Sequence, residues 1–357
     1  MEFRKAKEHI PTFKVFKMTY NITLIPGDGV GPDVILSAVK CIEASGIKVR
    51  WEIATAGEFA KRKYGHELPK RTLDLIKKNK VALKGPITTP VGTGFRSVNV
   101  QLRQALELFA NVRPIKQFPG VHSKYDSIDI VVIRENLEDL YSGIEFPKGK
   151  FKGLPKDSAV SLKIISEKNT KRIAQFAFDY ALKNKRNKIT CVHKANILKE
   201  TDGLFLRISK NIAKKFPSIK FEDRIVDNMA MQLVTKPEEY DILLCPNLYG
   251  DILSDLCAGL TGSLGLIPSA NYGKQIAIFE PTHGSVPKYA GKNKVNPSGA
   301  ILAGVLLLRH IGENKAANKI EKAVISVIKE AKKVTYDLAK KNPVGTKQMT
   351  EAIIEKI

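Results

Sequence analysis

Short apolar runs alternate with helical patterns along most of this chain, and this alternation constrains the fold more than any other feature. Strand-like runs occur at residues 81–83, 128–133, 189–192, 242–245 and 276–279. Helical patterns lie between many of them, notably at residues 168–182, 204–216 and 300–311. Strands that alternate with helices predict an α/β architecture around a largely parallel sheet. A segment rich in Gly, Pro and Lys is predicted to be an inserted hairpin or arm, at residues 143–157.

The first glycine-rich segment lies between a β-rich run at residues 21–26 and a helical pattern, and it reads Gly27-Asp-Gly29-Val-Gly31-Pro32. The dinucleotide-binding fingerprint has the spacing GxGxxG and an acidic residue roughly twenty positions later. Here the third glycine comes too early and Pro32 takes the last slot. The segment is therefore better interpreted as a strand-to-helix turn.

Composition limits the classes of protein to which this chain of 357 residues can belong. Its formal net charge of +23 comes from lysines dispersed along the chain. No zinc-finger, basic-zipper or ribonucleoprotein pattern accompanies that charge, which disfavours a dedicated nucleic-acid binder. The longest apolar run, residues 300–308, is shorter than the ~18 residues that a membrane span needs. Four scattered cysteines without a CxxC pair indicate core residues rather than a zinc site or a disulfide framework.

Two carboxylates, Asp251 and Asp255, stand four residues apart in a segment with helical character. Residues at this spacing share one face of a helix, so the pair can offer hard oxygen ligands to Mg²⁺ or Mn²⁺. Acids on a solvated helix face have the same spacing. Their neighbours, however, include Leu253, Leu256 and Cys257, and carboxylates among apolar residues need partners. The segment therefore predicts a metal site.

Arginines at the ends of predicted elements suggest a site for an anion. Ser97 falls at a helix N-cap position, and Asn99 and Arg103 project from one side of the helix that follows. Arg113 and Arg134 belong to apolar segments further along, and Arg134 follows a predicted buried strand. Because arginine binds carboxylates in a bidentate manner, these side chains predict a substrate with more than one carboxylate. Tyr141 and Lys194 are candidates for moving protons.

Seven segments, which occur in family order, resemble the isocitrate/isopropylmalate dehydrogenase family. They are Ser97-Val-Asn-Val-Gln-Leu-Arg103, Asn111-Val-Arg-Pro114, Arg134-Glu-Asn136, Tyr141-Ser-Gly-Ile-Glu145, His193-Lys-Ala-Asn196, Val226-Asp-Asn228 and residues 247–255. The resemblance implies an isopropylmalate-dehydrogenase-like three-layer α/β/α fold. It also implies an N-terminal extension at residues 1–20 and a large cofactor domain made of residues 21–115 and 262–357. A small domain would cover residues 116–261 and include a dimerisation arm at residues 139–166.

The resemblance also implies roles for these residues in the oxidative decarboxylation of isocitrate to 2-oxoglutarate. Ser97 and Asn99 resemble the residues of isocitrate enzymes, in which the serine contacts the γ-carboxylate of the substrate. The other carboxylates would be held by Arg103, Arg113 and Arg134. Mg²⁺ or Mn²⁺ would be held by Asp251, Asp255 and Asp227 from a second subunit of a homodimer. Lys194 of that subunit would assist removal of the hydroxyl proton, and Tyr141 would protonate the enol.

The segment His283-Gly-Ser-Val-Pro-Lys288-Tyr289-Ala-Gly291 resembles the loop that binds adenosine in this family, and it bears on the choice of cofactor. NAD-dependent members have an Asp where Lys288 stands, whereas a lysine attracts the 2′-phosphate of NADP. NADP is therefore the expected cofactor and NAD the alternative. The predicted cofactor-binding residues are Thr88, His283, Gly284, Ser285, Val286, Pro287, Lys288, Tyr289, Asn296, Tyr336 and Lys340.

Other functions remain open on the sequence alone. Homoisocitrate is an alternative substrate, and a regulatory subunit of a hetero-oligomer is an alternative without catalysis. No apolar signal core follows residues 1–20, so a cytoplasmic protein is expected, with the mitochondrial matrix as the alternative.

Overall fold

The computed structural model describes residues 19–90, 92 and 97–357, and most of the predicted N-terminal extension lies outside these residues. Within this part of the chain, ten strands form one sheet in the order β2-β1-β3-β12-β11-β4-β5-β10-β8-β9. The twelve strands are β1 Tyr20–Ile25, β2 Val49–Ile53, β3 Val81–Lys84, β4 Ala110–Lys116, β5 Asp129–Glu135, β6 Glu145–Phe146, β7 Val160–Ser161, β8 Lys188–His193, β9 Lys220–Ile225, β10 Ile242–Cys245, β11 Pro268–Tyr272 and β12 Ala277–Pro281.

Helices cover both faces of this sheet, as the predicted α/β class requires. In the described residues they are α1 Gly31–Ala44, α2 Glu58–Tyr64, α3 Lys70–Asn79, α4 Val98–Ala105, α5 Glu167–Lys183, α6 Thr201–Ala213, α7 Val226–Thr235, α8 Asn247–Leu260, α9 Ser298–His310, α10 Asn314–Glu330 and α11 Thr346–Ile354. None of these helices is long and apolar enough to cross a membrane.

The sheet is parallel on both flanks and antiparallel in the middle. Strands β2, β1, β3 and β12 run parallel, and so do β5, β10, β8 and β9. Between these blocks, β11 and β4 pair antiparallel with each other and with their outer neighbours. The predicted strands and the largely parallel sheet are confirmed. The two antiparallel strands were not predicted, because polar residues and prolines interrupt their apolar patterns.

Three buried apolar clusters hold the layers together. The largest lies beneath α1, α8, α9, α10 and α11. A second packs α5 and α6 against β4, β5, β8 and β10, and a third packs α3 and α4 against the first strands. The division into a large and a small domain stays a prediction. The prediction of buried core cysteines is confirmed for Cys41, Cys191, Cys245 and Cys257.

The turn between β1 and α1 is the predicted strand-to-helix turn, with Pro32 in the first turn of the helix. Gly29 has φ +58°, and a Cβ at this position would lie 2.0 Å from the carbonyl oxygen of Ser285. The neighbouring Val30 N–H donates to that same carbonyl at 2.9 Å. Only glycine allows this contact, which brings the predicted cofactor loop against the turn.

The predicted excursion after β5 is confirmed as a hairpin. A short 3₁₀ turn, Asp139–Ser142, precedes it, and β6 pairs antiparallel with β7. The Asp139 N–H donates to the carbonyl of Ile164 at 2.8 Å, so the returning chain is fastened to the turn that carries Tyr141.

Candidate active site

Arg134 reaches from β5 to the first turns of α8, where its guanidinium has no solvent contact. Its Nε and Nη2 atoms donate to Asn247 Oδ1 at 3.0 and 2.7 Å, and its Nη1 atom pairs with Asp251. Gly250 makes this approach possible, because a Cβ there would lie 2.6 Å from Arg134 Cγ. Sequence reasoning found Arg134 and Asp251 but missed Asn247, although Asn247 begins the segment that carries the acids.

Arg113 binds the same helix from the neighbouring strand β4. Its Nη1 atom donates to Ser254 Oγ at 2.5 Å, and its guanidinium lies 3.4 Å from both Asp251 and Asp255. The expectation that this arginine stands at the end of an element is wrong. Arg113 lies in the middle of β4, opposite Val132 of β5, and the alternation of side chains along the strand directs it toward α8.

Arg103 lies on α4, across the cavity from Arg113. Asn99 and Arg103 line a cavity of about 100 Å³ together with Arg113 and with His283 from the predicted cofactor loop. Burial, and then the nearby Arg134 charge, lower the pKa of Arg103 to about 10. The Oδ1 atom of Asn99 is buried and accepts no hydrogen bond from the described residues. Crowded guanidinium groups, each with several N–H donors, provide a site for an anion.

Ser97 stands at the N-cap position of α4, as the sequence predicts, but its side chain makes no capping hydrogen bond. Its hydroxyl instead accepts a hydrogen bond from Thr89 Oγ1 at 3.3 Å. Because it does not cap the helix, the Ser97 hydroxyl remains available to a ligand. Residues 91 and 93–96, which precede it, lie outside the described part of the chain.

A buried ion pair supports Arg103 from the sheet, and sequence reasoning missed it. Lys84 Nζ lies 2.5 Å from Glu280 Oε2, and the other oxygen of Glu280 lies 4.0 Å from Arg103 Nη2. Asn271 donates to that oxygen at 2.7 Å. Burial favours the neutral form of Glu280, but Lys84 and Arg103 outweigh it and lower its pKa. The signal in the sequence for this pair is weak: Lys84 is the last residue of β3, and Glu280 lies within β12.

The two acids on α8 differ in their surroundings. Burial opposes ionisation of Asp251, but the Arg134 and Arg113 charges outweigh it and lower its pKa. For Asp255, burial prevails over Arg113 and raises the pKa. The side chain of Asp255 is nevertheless 60% exposed, so the expectation that both acids are enclosed by apolar neighbours is wrong for Asp255. Leu253 and Cys257 point into the core from the opposite face of the helix.

Tyr141 completes this group of residues. Its hydroxyl donates to Asp251 Oδ2, and the Arg134 guanidinium lies 4.9 Å from its ring centroid. Burial, together with the hydrogen bond to Asp251, raises the pKa of Tyr141 despite the Arg134 charge. The phenol therefore keeps its proton at neutral pH.

Lys194 and Asp227 form a separate pair within the described chain. Lys194 Nζ donates to Asp227 Oδ1 at 2.7 Å, and this contact lowers the pKa of the carboxyl group. The Asp227 side chain is 68% exposed. Among the described residues, neither forms a hydrogen bond or an ion pair with Arg113, Arg134 or Asp251. The part of each in a neighbouring subunit stays a prediction.

The predicted cofactor loop contacts the first strand-helix turns. Thr88 Oγ1 and Ser285 Oγ are 2.8 Å apart, and the Thr88 N–H donates to Asp28 Oδ2 at 3.0 Å. Burial lowers the pKa of His283, whose Nε2 atom has no partner in the described chain. Gly284 is exposed. Val286 has φ +38° and precedes a short 3₁₀ turn, Pro287–Tyr289. Of these residues, His283 and Gly284 line the cavity.

The outer end of this loop is basic and aromatic. The rings of Tyr289 and Tyr336 lie 6.0 Å apart, and Lys288 Nζ lies 5.0 Å from the Tyr289 centroid. Lys294 Nζ lies 5.0 and 4.9 Å from the two ring centroids, and sequence reasoning missed it. Lys340 is exposed, and its side chain forms no hydrogen bond or ion pair with the described residues. Asn296 instead points inward and donates to Asp337 Oδ2 at 2.9 Å.

The carboxylates of α8 suit a hard cation, although one chain offers only two of them. Asp251 and Asp255 both lie 3.4 Å from the guanidinium of Arg113, which lines the cavity. Among the described residues, no three His, Cys, Asp or Glu side chains form a group that could hold a metal ion. A further ligand would therefore come from the substrate or from another chain.

The fold and the site define an α/β protein that gathers guanidinium and carboxylate groups around a cavity suited to a small polyanion. The model of the isocitrate/isopropylmalate dehydrogenase family matches residues 21–353. The chain therefore belongs to this family, and the fold class that the sequence predicted is confirmed.

Some relatives are named for NAD and others for NADP. The probable mitochondrial isocitrate dehydrogenase NAD subunit alpha of Drosophila melanogaster is 46% identical over 322 residues, which are 90% of this chain and 83% of the relative. The isocitrate dehydrogenase of Archaeoglobus fulgidus, named for NADP, is 42% identical over 381 residues, with 94% and 92% covered. A crystal structure of isocitrate dehydrogenase from Methylococcus capsulatus superimposes with a TM-score of 0.91 at 52% identity, covering 94% of this chain and 99% of that one.

Proposed function

We propose that this protein catalyses the metal-dependent oxidative decarboxylation of isocitrate to 2-oxoglutarate and CO₂ with reduction of NADP. The observation that carries the proposal is the clustering of three buried arginines: Arg103 and Arg113 line one cavity, and Arg113 shares Asp251 of α8 with Arg134. The family and the names of the relatives support isocitrate as the substrate, while those names include both NAD and NADP.

The basic side of the cavity suits a tricarboxylate. Each arginine can hold a carboxylate through paired N–H donors, and the water-poor surroundings strengthen such bonds. Arg113 keeps its Nε unpaired within the described residues, so this N–H can donate to a carboxylate. We assign Ser97 and Asn99 to the γ-carboxylate, because the Ser97 hydroxyl and the Asn99 Nδ2 amide can donate to it, whereas an alkyl substituent accepts no hydrogen bond.

The acidic side suits Mg²⁺ or Mn²⁺. Asp251 and Asp255 supply carboxylate oxygens, and we assign Asp227 of a second subunit as a third protein ligand. When bound, the metal ion supplies Lewis-acid polarisation of the substrate oxygens, and the nicotinamide of NADP accepts the hydride. The protein itself binds, orients and exchanges protons.

Two side chains suit the proton transfers. Tyr141 holds a proton at its Oη atom, next to Asp251, and can deliver it to a carbanionic product of decarboxylation. Lys194 is a donor or acceptor at Nζ, which Asp227 orients at 2.7 Å. Because Lys194 is half-buried, Asp227 is exposed and the pair is separate from the arginines, we assign both residues to the active site of the second subunit.

The surface around Asp227 is suited to pairing two chains. Met231 and Val234 on α7 and Ile252 on α8 are 47%, 49% and 58% exposed. Large apolar side chains on neighbouring helices favour burial against another copy. This surface, and the separation of Lys194 and Asp227 from the remaining site residues, support a homodimer with shared sites.

The basic outer end of the cofactor loop favours NADP over NAD. Lys288 and Lys294 lie beside Tyr289, and neither forms an ion pair with an acid of the described residues. A 2′-phosphate placed there would therefore meet two ammonium groups. The double substitution Lys288→Asp with Tyr289→Ile is expected to shift relative kcat/KM toward NAD. Unchanged relative values would contradict this assignment of the loop.

The decisive experiment is a steady-state comparison with the purified protein alone. Isocitrate and homoisocitrate are each tested with NADP and with NAD in the presence of Mg²⁺, and a chelator serves as the metal control. Highest kcat/KM for isocitrate with NADP is the expected result. Higher kcat/KM for homoisocitrate would assign a different substrate. Absence of turnover, with isocitrate still bound, would indicate a regulatory subunit.

A further inference from the structure

Lys163 connects two parts of the chain that carry different catalytic groups. Its side chain is only 13% exposed and follows the returning strand of the hairpin. Its ammonium lies 2.6 Å from Asp202 Oδ1 and 3.6 Å from Asp139 Oδ1, and both carboxylates are buried. No other cation of the described chain lies within ion-pair distance of either acid.

Asp202 holds the loop of Lys194. Its second oxygen, Oδ2, accepts the backbone N–H of Lys194 at 2.7 Å. Asp202 lies in the first turn of α6, which fixes its backbone. The position of the Lys194 backbone therefore depends on the orientation of the Asp202 carboxylate, and Lys163 sets that orientation.

Asp139 holds the turn of Tyr141 in the same manner. It begins the 3₁₀ turn that contains Tyr141, and it has φ +70°, a left-handed conformation that is costly for residues other than glycine. Its Oδ2 atom accepts the Leu248 N–H at 2.9 Å, in the first turn of α8. Lys163 also lies 4.3 Å from the ring centroid of Tyr249, so one ammonium contacts both the turn and the helix.

We propose that Lys163 is a positioning residue that fixes Tyr141 for the active site of its own subunit and Lys194 for that of the partner, and so couples the two sites of the dimer. The inference rests on the proposed function, because it requires a site shared between subunits. Burial opposes the charge of Lys163, but Asp202 and Asp139 outweigh it and raise its pKa, so the link persists at neutral pH.

Removing the ammonium leaves two buried carboxylates without a cation. Their mutual repulsion, or the uptake of a proton, disturbs the bonds that they accept from Lys194 and Leu248. Arg113 is held by Ser254 and the acids of α8 rather than by this cluster. A Lys163→Met variant should therefore lose kcat while the KM for isocitrate changes much less, and Lys163→Arg should recover part of the lost kcat.

A mixed dimer separates the two directions of the coupling. One protomer carries Tyr141→Phe and its partner carries Lys194→Met, with different affinity tags for tandem purification. One site then lacks both groups, whereas the other combines an intact Tyr141 with an intact Lys194. Lys163→Met is placed first in one protomer and then in the other. Misplacement of a catalytic group by about 1 Å costs about 100-fold, so we expect kcat to fall by about 10- to 100-fold in both arrangements.

Two isosteric variants report on each direction separately. Asp139→Asn should reduce kcat more when it lies in the protomer that supplies Tyr141. Asp202→Asn should reduce kcat more when it lies in the protomer that supplies Lys194. Lys171→Met, which removes an exposed ion pair with Glu167 on α5, is the matched lysine control. If Lys163→Met does not fold, the two asparagine variants decide the question.

The outcomes distinguish the inference from the function on which it rests. If the parent mixed dimer has no activity above its two homodimers while the unmodified enzyme is active, the shared site is wrong. If the mixed dimer is active but Lys163→Met in either protomer leaves kcat unchanged, the coupling is overturned. Equal effects of each asparagine variant in both protomers would also overturn it, because they would indicate a general loss of structure.

Discussion

Gly250→Ala is expected to separate helix stability from substrate binding. Gly250 lies inside α8, and an alanine there improves intrinsic helix propensity by about 1 kcal/mol. Its Cβ, however, would lie 2.6 Å from Arg134 Cγ and 2.7 Å from Arg134 Cβ. Carbon atoms in contact are separated by about 3.5–4.0 Å, so the arginine must move by about 1 Å.

This movement weakens the bonds that orient the Arg134 guanidinium. Arg134 donates to Asn247 at 3.0 and 2.7 Å and pairs with Asp251. A hydrogen bond to a charged group is worth about 1.5–3 kcal/mol. Since about 1.4 kcal/mol corresponds to a tenfold change in rate, loss of one such bond predicts a decrease of about 10- to 150-fold in kcat/KM for isocitrate.

Gly259→Ala on the same helix is the matched control, because no atom lies within 4 Å of a Cβ at that position. Both variants are assayed for kcat/KM, for the midpoint of urea unfolding and for elution as the parent assembly. The control should keep its activity and gain stability. A Gly250→Ala enzyme whose kcat/KM stays within twofold of the parent value would refute the link between this glycine, Arg134 and substrate binding.

Three further predictions concern protons, thiols and the metal. Burial raises the pKa of Glu135 to about 7, so its contribution to stability is lost as pH rises from the unfolded value near 4.5 through 7. Relative to Glu135→Gln, the free energy of unfolding should then decline by about 1.4 kcal/mol per pH unit in that window, and parallel urea-unfolding curves at pH 5 to 8 would contradict this. Arg134 and Arg113 pair with Asp251, and isocitrate competes with Asp251 for these arginines. Isocitrate should therefore tighten Mg²⁺ binding, measured by calorimetry, and equal Mg²⁺ affinity with and without isocitrate would exclude the coupling. Buried thiols should react with a thiol reagent only at the rate of unfolding, and fast reaction of the native enzyme would exclude burial of Cys41, Cys191, Cys245 and Cys257.

The periodic parts of the fold could be predicted from sequence because burial on both faces leaves a continuous apolar run. Strand β10 coincides with the predicted residues 242–245, and all four of its residues are buried. Strand β4 was missed because Asn111, Arg113 and Pro114 interrupt its pattern. Those same polar residues serve the site and the buried network around Asn271, so the chemistry of the site obscured the strand.

Residue types predicted the site better than they predicted its connections. Arg134 and Asp251 could be selected because charged side chains next to apolar runs need partners. Their contact, across 117 positions of sequence, depends on the order of strands in the sheet. Lys163 and Glu280 were missed for the same reason, since a lone lysine or glutamate has no local pattern that separates a buried ion pair from a solvated residue.

The pairing of opposite charges explains how the site can be stable before any ligand binds. Three guanidinium groups buried close together repel one another; burial first, and then the Arg134 and Arg113 charges, lower the pKa of Arg103. Asp251 offsets this repulsion by binding both Arg113 and Arg134. An anionic substrate competes with Asp251 for the arginines, and a divalent cation competes with the arginines for Asp251. Each ligand therefore leaves groups that the other satisfies, so the two should bind together more favourably than either does alone.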